Sequence, residues 1–263
     1  MCSFSGILIA TDLDGTFVSS KAELVPRNLE AIERFKAGGG LFTFATGRVI
    51  WSMASIVPLY KEIVNAPMVL CNGATLHDPV AGKDIYNDLL DEDSTVAAVR
   101  LIRNLFPETT RIVYVGENYF QYRDTEGDEG LLRQKGRGWH KVLVQCPADI
   151  IDKLEETMRA QMPGKFAYSR SSPVLFELLP PGSTKGRMLK RLKEHYAARG
   201  KPVTLYAVGD FDNDIDMLRS ADVACCPSNA LDSVKAVCDI VLGSCDGGAI
   251  ADLIEILEKE KAR

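Results

Sequence analysis

Three histidines, His77, His140 and His195, stand far apart in the 263-residue chain. The seven cysteines (Cys2, Cys71, Cys146, Cys225, Cys226, Cys238 and Cys245) are odd in number and contain no C-x-x-C pair. This excludes a structural zinc centre of ordinary ligand spacing and a disulfide framework. No window approaches the roughly 18 uninterrupted apolar residues of a membrane span. The first residues lack a basic start and a long apolar stretch and reach an acidic side chain at Asp12, so no secretion signal is expected and the chain is expected in the cytosol. Excess charge is also missing: 31 Lys and Arg face 36 Asp and Glu, a net charge of −5. That excludes a nucleic-acid binder held by phosphate neutralisation over its whole surface. No G-x-G-x-x-G follows the first apolar run and no G-x-x-x-x-G-K-[ST] occurs, which argues against a nucleotide-dependent Rossmann enzyme.

The composition, 46% hydrophobic and 25% charged, is that of an ordinary globular protein of one large or two modest domains. Short apolar runs alternate with helical periods at both ends of the chain, as in a parallel sheet covered by helices. The predicted order is a strand over 6–10, a helix over 26–37, a strand over 41–45, a helix over 49–60 and a strand over 67–71. The middle changes rhythm. A helix over 94–105 precedes a hairpin of strands 111–115 and 119–123 and an acidic solvated loop over 124–138. Then come a strand over 141–146, a helix over 150–162 and strands over 166–170 and 174–178. Alternation returns with a helix over 184–198, a strand over 203–208, a helix over 213–219, a strand over 223–226, a helix over 230–237, a strand over 240–242 and a helix over 249–261. The expected fold is α/β, a Rossmann-like doubly wound parallel sheet formed by residues 1–82 and 182–263. An α+β domain over 83–181 is inserted in it, with linkers at 78–84 and 179–183.

Four loops at strand ends or helix starts hold reactive polar groups: Asp12-Leu13-Asp14-Gly15-Thr16, Thr46-Gly47-Arg48, Ser183-Thr184-Lys185-Gly186, and Gly209-Asp210 with Asn213-Asp214. In an open α/β sheet such loops converge beside the point where strand order reverses. Convergence gathers Asp12, Asp14, Asp210 and Asp214, and two carboxylates about 4 Å apart repel by ~4 kcal/mol at an effective dielectric near 20. A cation is therefore required. Oxygen-only ligands favour a hard ion, and a small carboxylate set with room for water and phosphate suits Mg²⁺. Lys185 adds a second positive charge, and a proton on one carboxyl would nearly balance the site. Such a pocket supports phosphoryl transfer: a carboxylate nucleophile, a second carboxyl two residues later as acid and base, and Thr46 at a helix start to hold a phosphoryl oxygen. Each piece alone also fits a capped turn or a solvated surface residue, Arg48 among them; their joint order favours catalysis.

Asp12-Leu13-Asp14-Gly15-Thr16, Thr46, Lys185 and Gly209-Asp210-x-x-Asn213-Asp214 resemble the four motifs of the haloacid dehalogenase superfamily. The long insertion, Asn72-Gly73-Ala74 ahead of it and Ser228-Asn229-Ala230 near the end are similar to its Cof-type sugar-phosphatase branch. The resemblance implies a Rossmann-like core with a mobile cap formed by the insertion. It implies Asp12 as nucleophile and Asp14 as general acid and base. Mg²⁺ would be held by Asp12, Asp210 and the backbone carbonyl of Asp14, with Asp214 supporting that shell. Thr46 and Lys185 would bind the phosphoryl group, with Gly47, Asn72, Gly73 and Asn213 near the substrate. The expected reaction is hydrolysis of a small phosphorylated metabolite, a sugar phosphate. A sugar phosphomutase and a non-catalytic phosphate-binding module are the alternatives. Trp139, His140, Tyr122 and Arg123 are conceivable substrate contacts in the insertion, although packing and solvated edges explain such residues more simply.

Overall fold

A computed structural model describes residues 4–116, 120–123 and 127–261. The chain divides into two compact units, with the divisions between Tyr86 and Asn87 and between Ser183 and Thr184.

The first unit is built on a parallel sheet of five strands in the order Ile240–Val241, Val223–Cys226, Thr204–Val208, Ile7–Thr11 and Leu41–Phe44. Its inner strands are continuous apolar runs because both faces are covered; every residue of Ile7–Thr11 is buried. Helix Pro26–Ala37, started by proline at its first position, buries Ala31, Ile32 and Phe35. Helix Lys185–Ala197 is capped by the Thr184 hydroxyl, which accepts from Arg187 N at 3.1 Å, and buries Met188, Leu189 and Leu192. From Ile7–Thr11 the chain moves to Leu41–Phe44 on one side, and it returns much later to Thr204–Val208 on the other. The order therefore reverses at Ile7–Thr11, and a crevice opens at the carboxyl ends of these strands.

The second unit is an antiparallel sheet in the order Phe120–Arg123, Thr110–Val115, Trp139–Gln145, Leu175–Leu179 and Ala167–Ser172. Helices Glu92–Leu105 and Ile151–Gln161 contribute Val99, Ile102, Leu154 and Met158 to a core that holds Val113, Val142, Val144 and Phe176 from the strands.

Several expectations need correction. The helix over 49–60 is two helices, Ile50–Ile56 and Tyr60–Ile63, because Val57, preceding Pro58, leaves the helical region. The segment over 124–138 is not all loop: helix Gly127–Leu132 buries Leu131, and Asp128 pairs with Arg100 and Arg103. Residues 124–126, like 117–119 at the turn and second-strand start of the expected hairpin, lie outside the described residues. The linker over 78–84 spans the end of strand Thr75–Asp78 and the start of Lys83–Asn87, which belong with Met68–Leu70 to a small three-stranded sheet. Helix Ile215–Ser220 is preceded by a tight turn, Asp212–Asp214, and the helix over 230–237 shortens to Asp232–Lys235.

Trp139 is fully buried and its indole N–H donates to Gln134 O at 2.9 Å; it is core and not a contact surface. His140 is buried with Nε2 2.9 Å from Gly116 O. Arg123 is exposed, and the Tyr122 side chain lies outside the described residues.

Candidate active site

The reversal point carries the site. Asp12 follows Ile7–Thr11, and its N–H donates to Val208 O at 2.8 Å, so the first two sheet-end loops are pinned together. The chain then makes a tight wound turn, Leu13–Phe17, which bends at Asp14 and at Gly15, where φ is +72°. A Cβ on Gly15 would lie 2.5 Å from Asp210 Oδ2, so glycine lets the Asp210 carboxylate reach this loop. Asn229 fixes the loop from the far side: its Nδ2 donates to Gly15 O at 2.8 Å and its Oδ1 accepts from Cys245 N at 2.9 Å.

Asp12, Asp210 and Asp214 each place an oxygen within 4.8 Å of the others. Lys185 Nζ, fully buried, lies 2.7 Å from Asp12 Oδ1 and 2.6 Å from Asp214 Oδ1. The other Asp214 oxygen accepts from the backbone N–H groups of Asp210 (3.0 Å) and Phe211 (3.2 Å), so Asp214 is committed to shaping the loop and anchoring the lysine. Asp210 Oδ1 accepts from Thr16 Oγ1 at 2.6 Å. Among the described residues, the second oxygen of Asp12 and of Asp210 takes no hydrogen bond.

The electrostatics follow. Burial, reinforced by the crowding of Asp214 and Asp210, holds the Asp12 carboxyl well above the usual range although Lys185 pulls the other way. Asp210 is pushed up to about 6, again chiefly by burial. Burial also opposes the charge on Lys185, but Asp12 and Asp214 together outweigh it and keep the ammonium charged. With all three carboxyls ionised, the one ammonium would leave two negative charges unbalanced. That charge, oxygen-only donors and the two second oxygens fit one hard divalent cation.

The Asp14 carboxylate is not in this group. Arg48 takes it with a two-pronged guanidinium, Nε to Oδ2 and Nη2 to Oδ1, both at 2.7 Å. The expected four-carboxylate cluster is thus three carboxylates plus a neutralised fourth. Arg48 is the site residue that sequence reasoning passed over as a surface cation. Its place two residues after Thr46, at a strand end, was the available signal.

Thr46 is held by its N–H to Val69 O (2.9 Å) and by its carbonyl accepting from Asn72 N (3.1 Å). Cys71 and Asn72 have φ of +51° and +49° and Gly73 +92°, three left-handed residues in succession. The turn brings Asn72 Oδ1 within 3.1 Å of Asn213 Nδ2 and sets Gly73 against the Thr184 carbonyl, where a Cβ would stand 2.0 Å away. A Cβ on Gly47 would stand 2.9 Å from Asn72 Nδ2. The structure therefore gathers Gly47, Asn72, Gly73 and Asn213 around Thr46 and Lys185.

A doubly wound sheet with a carboxylate cluster and a buried lysine at its switch point defines a class of pocket, one whose donors suit a hard cation and an anionic group. A model of the haloacid dehalogenase-like hydrolases matches residues 9–254, and the chain belongs to that family, in its Cof-type branch. It is an enzyme of the phosphoric monoester hydrolase class. Among curated relatives it is 26% identical over 290 aligned positions to the 5-amino-6-(5-phospho-D-ribitylamino)uracil phosphatase YwtE of Bacillus subtilis, covering 95% of this chain and 97% of that one. It is 27% identical over 276 positions to the pyridoxal phosphate phosphatase YbhA of Escherichia coli, covering 94% and 97%. Among solved structures, the subclass IIB sugar phosphatase BT4131 superposes with a TM-score of 0.77 at 19% identity, covering 96% and 99%.

Proposed function

We propose that the protein is a Mg²⁺-dependent phosphatase that hydrolyses a small phosphorylated metabolite, a sugar phosphate or sugar-alcohol phosphate, through a phosphoryl group carried on Asp12. The observation that carries this is the Asp12 carboxylate, one oxygen held by Lys185 and the other without a hydrogen bond among the described residues, inside a cluster of three carboxylates and one ammonium.

Asp12 and Asp210 would hold Mg²⁺ through their second oxygens, joined by the backbone carbonyl of Asp14, while Asp214 supports that shell through the loop N–H groups it accepts. When bound, the ion supplies charge neutralisation for the nucleophile and the phosphoryl oxygens. In the first step an Asp12 oxygen bonds to phosphorus, the phosphorus–oxygen bond to the leaving group breaks, and Asp14 gives its proton to the leaving oxygen. In the second, a water oxygen bonds to phosphorus, the Asp12–phosphorus bond breaks, and a water proton returns to Asp14. Lys185 and Thr46 hold phosphoryl oxygens, and Gly47, Asn72, Gly73 and Asn213 shape the pocket around them. The inserted unit serves as the cap that selects the leaving group. The ribityl phosphate named for YwtE and the sugar named for BT4131 support a polyhydroxylated substrate.

A panel of phosphorylated metabolites, sugar phosphates included, assayed for inorganic phosphate with Mg²⁺ and with EDTA, tests this. Phosphate release from at least one sugar phosphate, abolished by EDTA, is expected. Conversion to an isomeric sugar phosphate without phosphate release, or binding without turnover, overturns it.

A further inference from the structure

We infer that Arg48 is a positioning residue that orients the Asp14 carboxyl for proton transfer, an assignment that rests on the role proposed above for Asp14.

An exposed ion pair ordinarily joins side chains that rearrange freely. This cation is anchored along its whole length. Its backbone N–H donates to Thr46 Oγ1 at 3.2 Å, its carbonyl accepts from Cys71 N at 3.1 Å, and its Nη1 donates to Ser52 Oγ at 3.0 Å. From that seat it crosses to a loop 34 residues earlier and engages both Asp14 oxygens. A planar fork fixes the plane of the carboxylate as well as its position. The two-pronged pair holds the carboxylate form; when one oxygen carries the proton, the guanidinium can keep the other oxygen in the same plane, and a lysine, a point charge, cannot reproduce that. Arg48 therefore ties the loop that holds the phosphoryl group, through Thr46, to the residue that moves the proton.

The distinguishing readout is dependence on the leaving group. p-Nitrophenolate departs with little help from a proton, whereas phenolate needs more. Arg48→Ala, assayed with Mg²⁺, is expected to lower kcat on phenyl phosphate about tenfold more than on p-nitrophenyl phosphate, with KM changed less than about threefold, a modest share of what a positioned general acid supplies. Arg48→Lys should recover little of the loss. In an Asp14→Asn background, Arg48→Ala should add less than about twofold, because the residue acts through Asp14. Equal losses on both esters, a change in KM alone, or a full further loss in the Asp14→Asn background overturns the assignment while leaving the phosphatase function intact. A wild-type enzyme that releases phosphate from no ester, the sugar phosphates of the panel above included, overturns the phosphatase function itself, and this role with it. Circular dichroism of each variant separates these outcomes from misfolding.

Discussion

Asp12 is a buried acid surrounded by other acids, an arrangement that favours chemistry over stability. Replacing it with Asn keeps the shape and a hydrogen-bond acceptor for Lys185 but removes one of the crowded charges. Hydrolysis should fall at least about 10³-fold, in line with the loss of a nucleophile. The metal-free variant should also be more stable by about 1 kcal/mol, or roughly 2–4 °C in melting temperature for a protein of this size. Activity within tenfold of wild type, or a clear fall in melting temperature, would count against the assigned role. Gly15 tests the loop itself: Gly15→Ala puts a methyl against the Asp210 carboxylate in a left-handed conformation. The expected cost is about 1–3 kcal/mol in denaturant unfolding together with weakened Mg²⁺ affinity. Asp12, Asp210, Asp214 and Lys185 were legible because their chemistry follows from side-chain type and spacing. Arg48 was not, because the same triplet after a strand yields either a surface cation or a carboxylate clamp, and only the path of the Leu13–Phe17 turn decides which.

Among the elements, strand Val223–Cys226 and helices Pro26–Ala37 and Ala249–Lys261 have the bounds expected from periodicity and capping. Helix Gly127–Leu132 escaped notice because six residues are too few for a helical period, and its place is set by Leu131 packing and the Asp128 pairs with two arginines. The small sheet at Thr75–Asp78 and Lys83–Asn87 was hidden because Lys83–Asn87 has no buried alternation to mark it. Cys225, in the sheet interior, has a thiol pushed up to about 12, chiefly by burial. A raised folded pKa means that its contribution is fully present below the unfolded thiol value, near 8.5, and is lost as pH rises from there toward about 12. Urea unfolding at pH 8 and pH 10 should therefore show a decline in stability that Cys225→Ala reduces by up to about 1–2 kcal/mol over that interval. An identical decline in the variant would place the effect elsewhere.

At the scale of the molecule, the chain leaves the first unit after Tyr86 and rejoins it at Thr184, immediately before Lys185. The changed rhythm of the middle third made an insertion visible in sequence, while its edges were blurred by strand Lys83–Asn87. With three carboxylates and one ammonium at the Asp12 cluster, Mg²⁺ should stabilise the whole fold by mass action: about 2.7 kcal/mol at one hundred times its dissociation constant. Calorimetry or thermal fluorescence should show that rise in wild type and its near-disappearance in Asp210→Asn. An equal rise in both would move the cation to another place.

Rapid chemical quench of the wild-type enzyme with Mg²⁺ and p-nitrophenyl phosphate, followed by borohydride reduction and peptide mass spectrometry, tests the central claim most directly. An acyl phosphate at Asp12 is reduced to homoserine, so the peptide containing residue 12 should carry that mass change during turnover and lack it with EDTA. Continued phosphate release with the change absent, or found on another residue, would contradict covalent capture by Asp12.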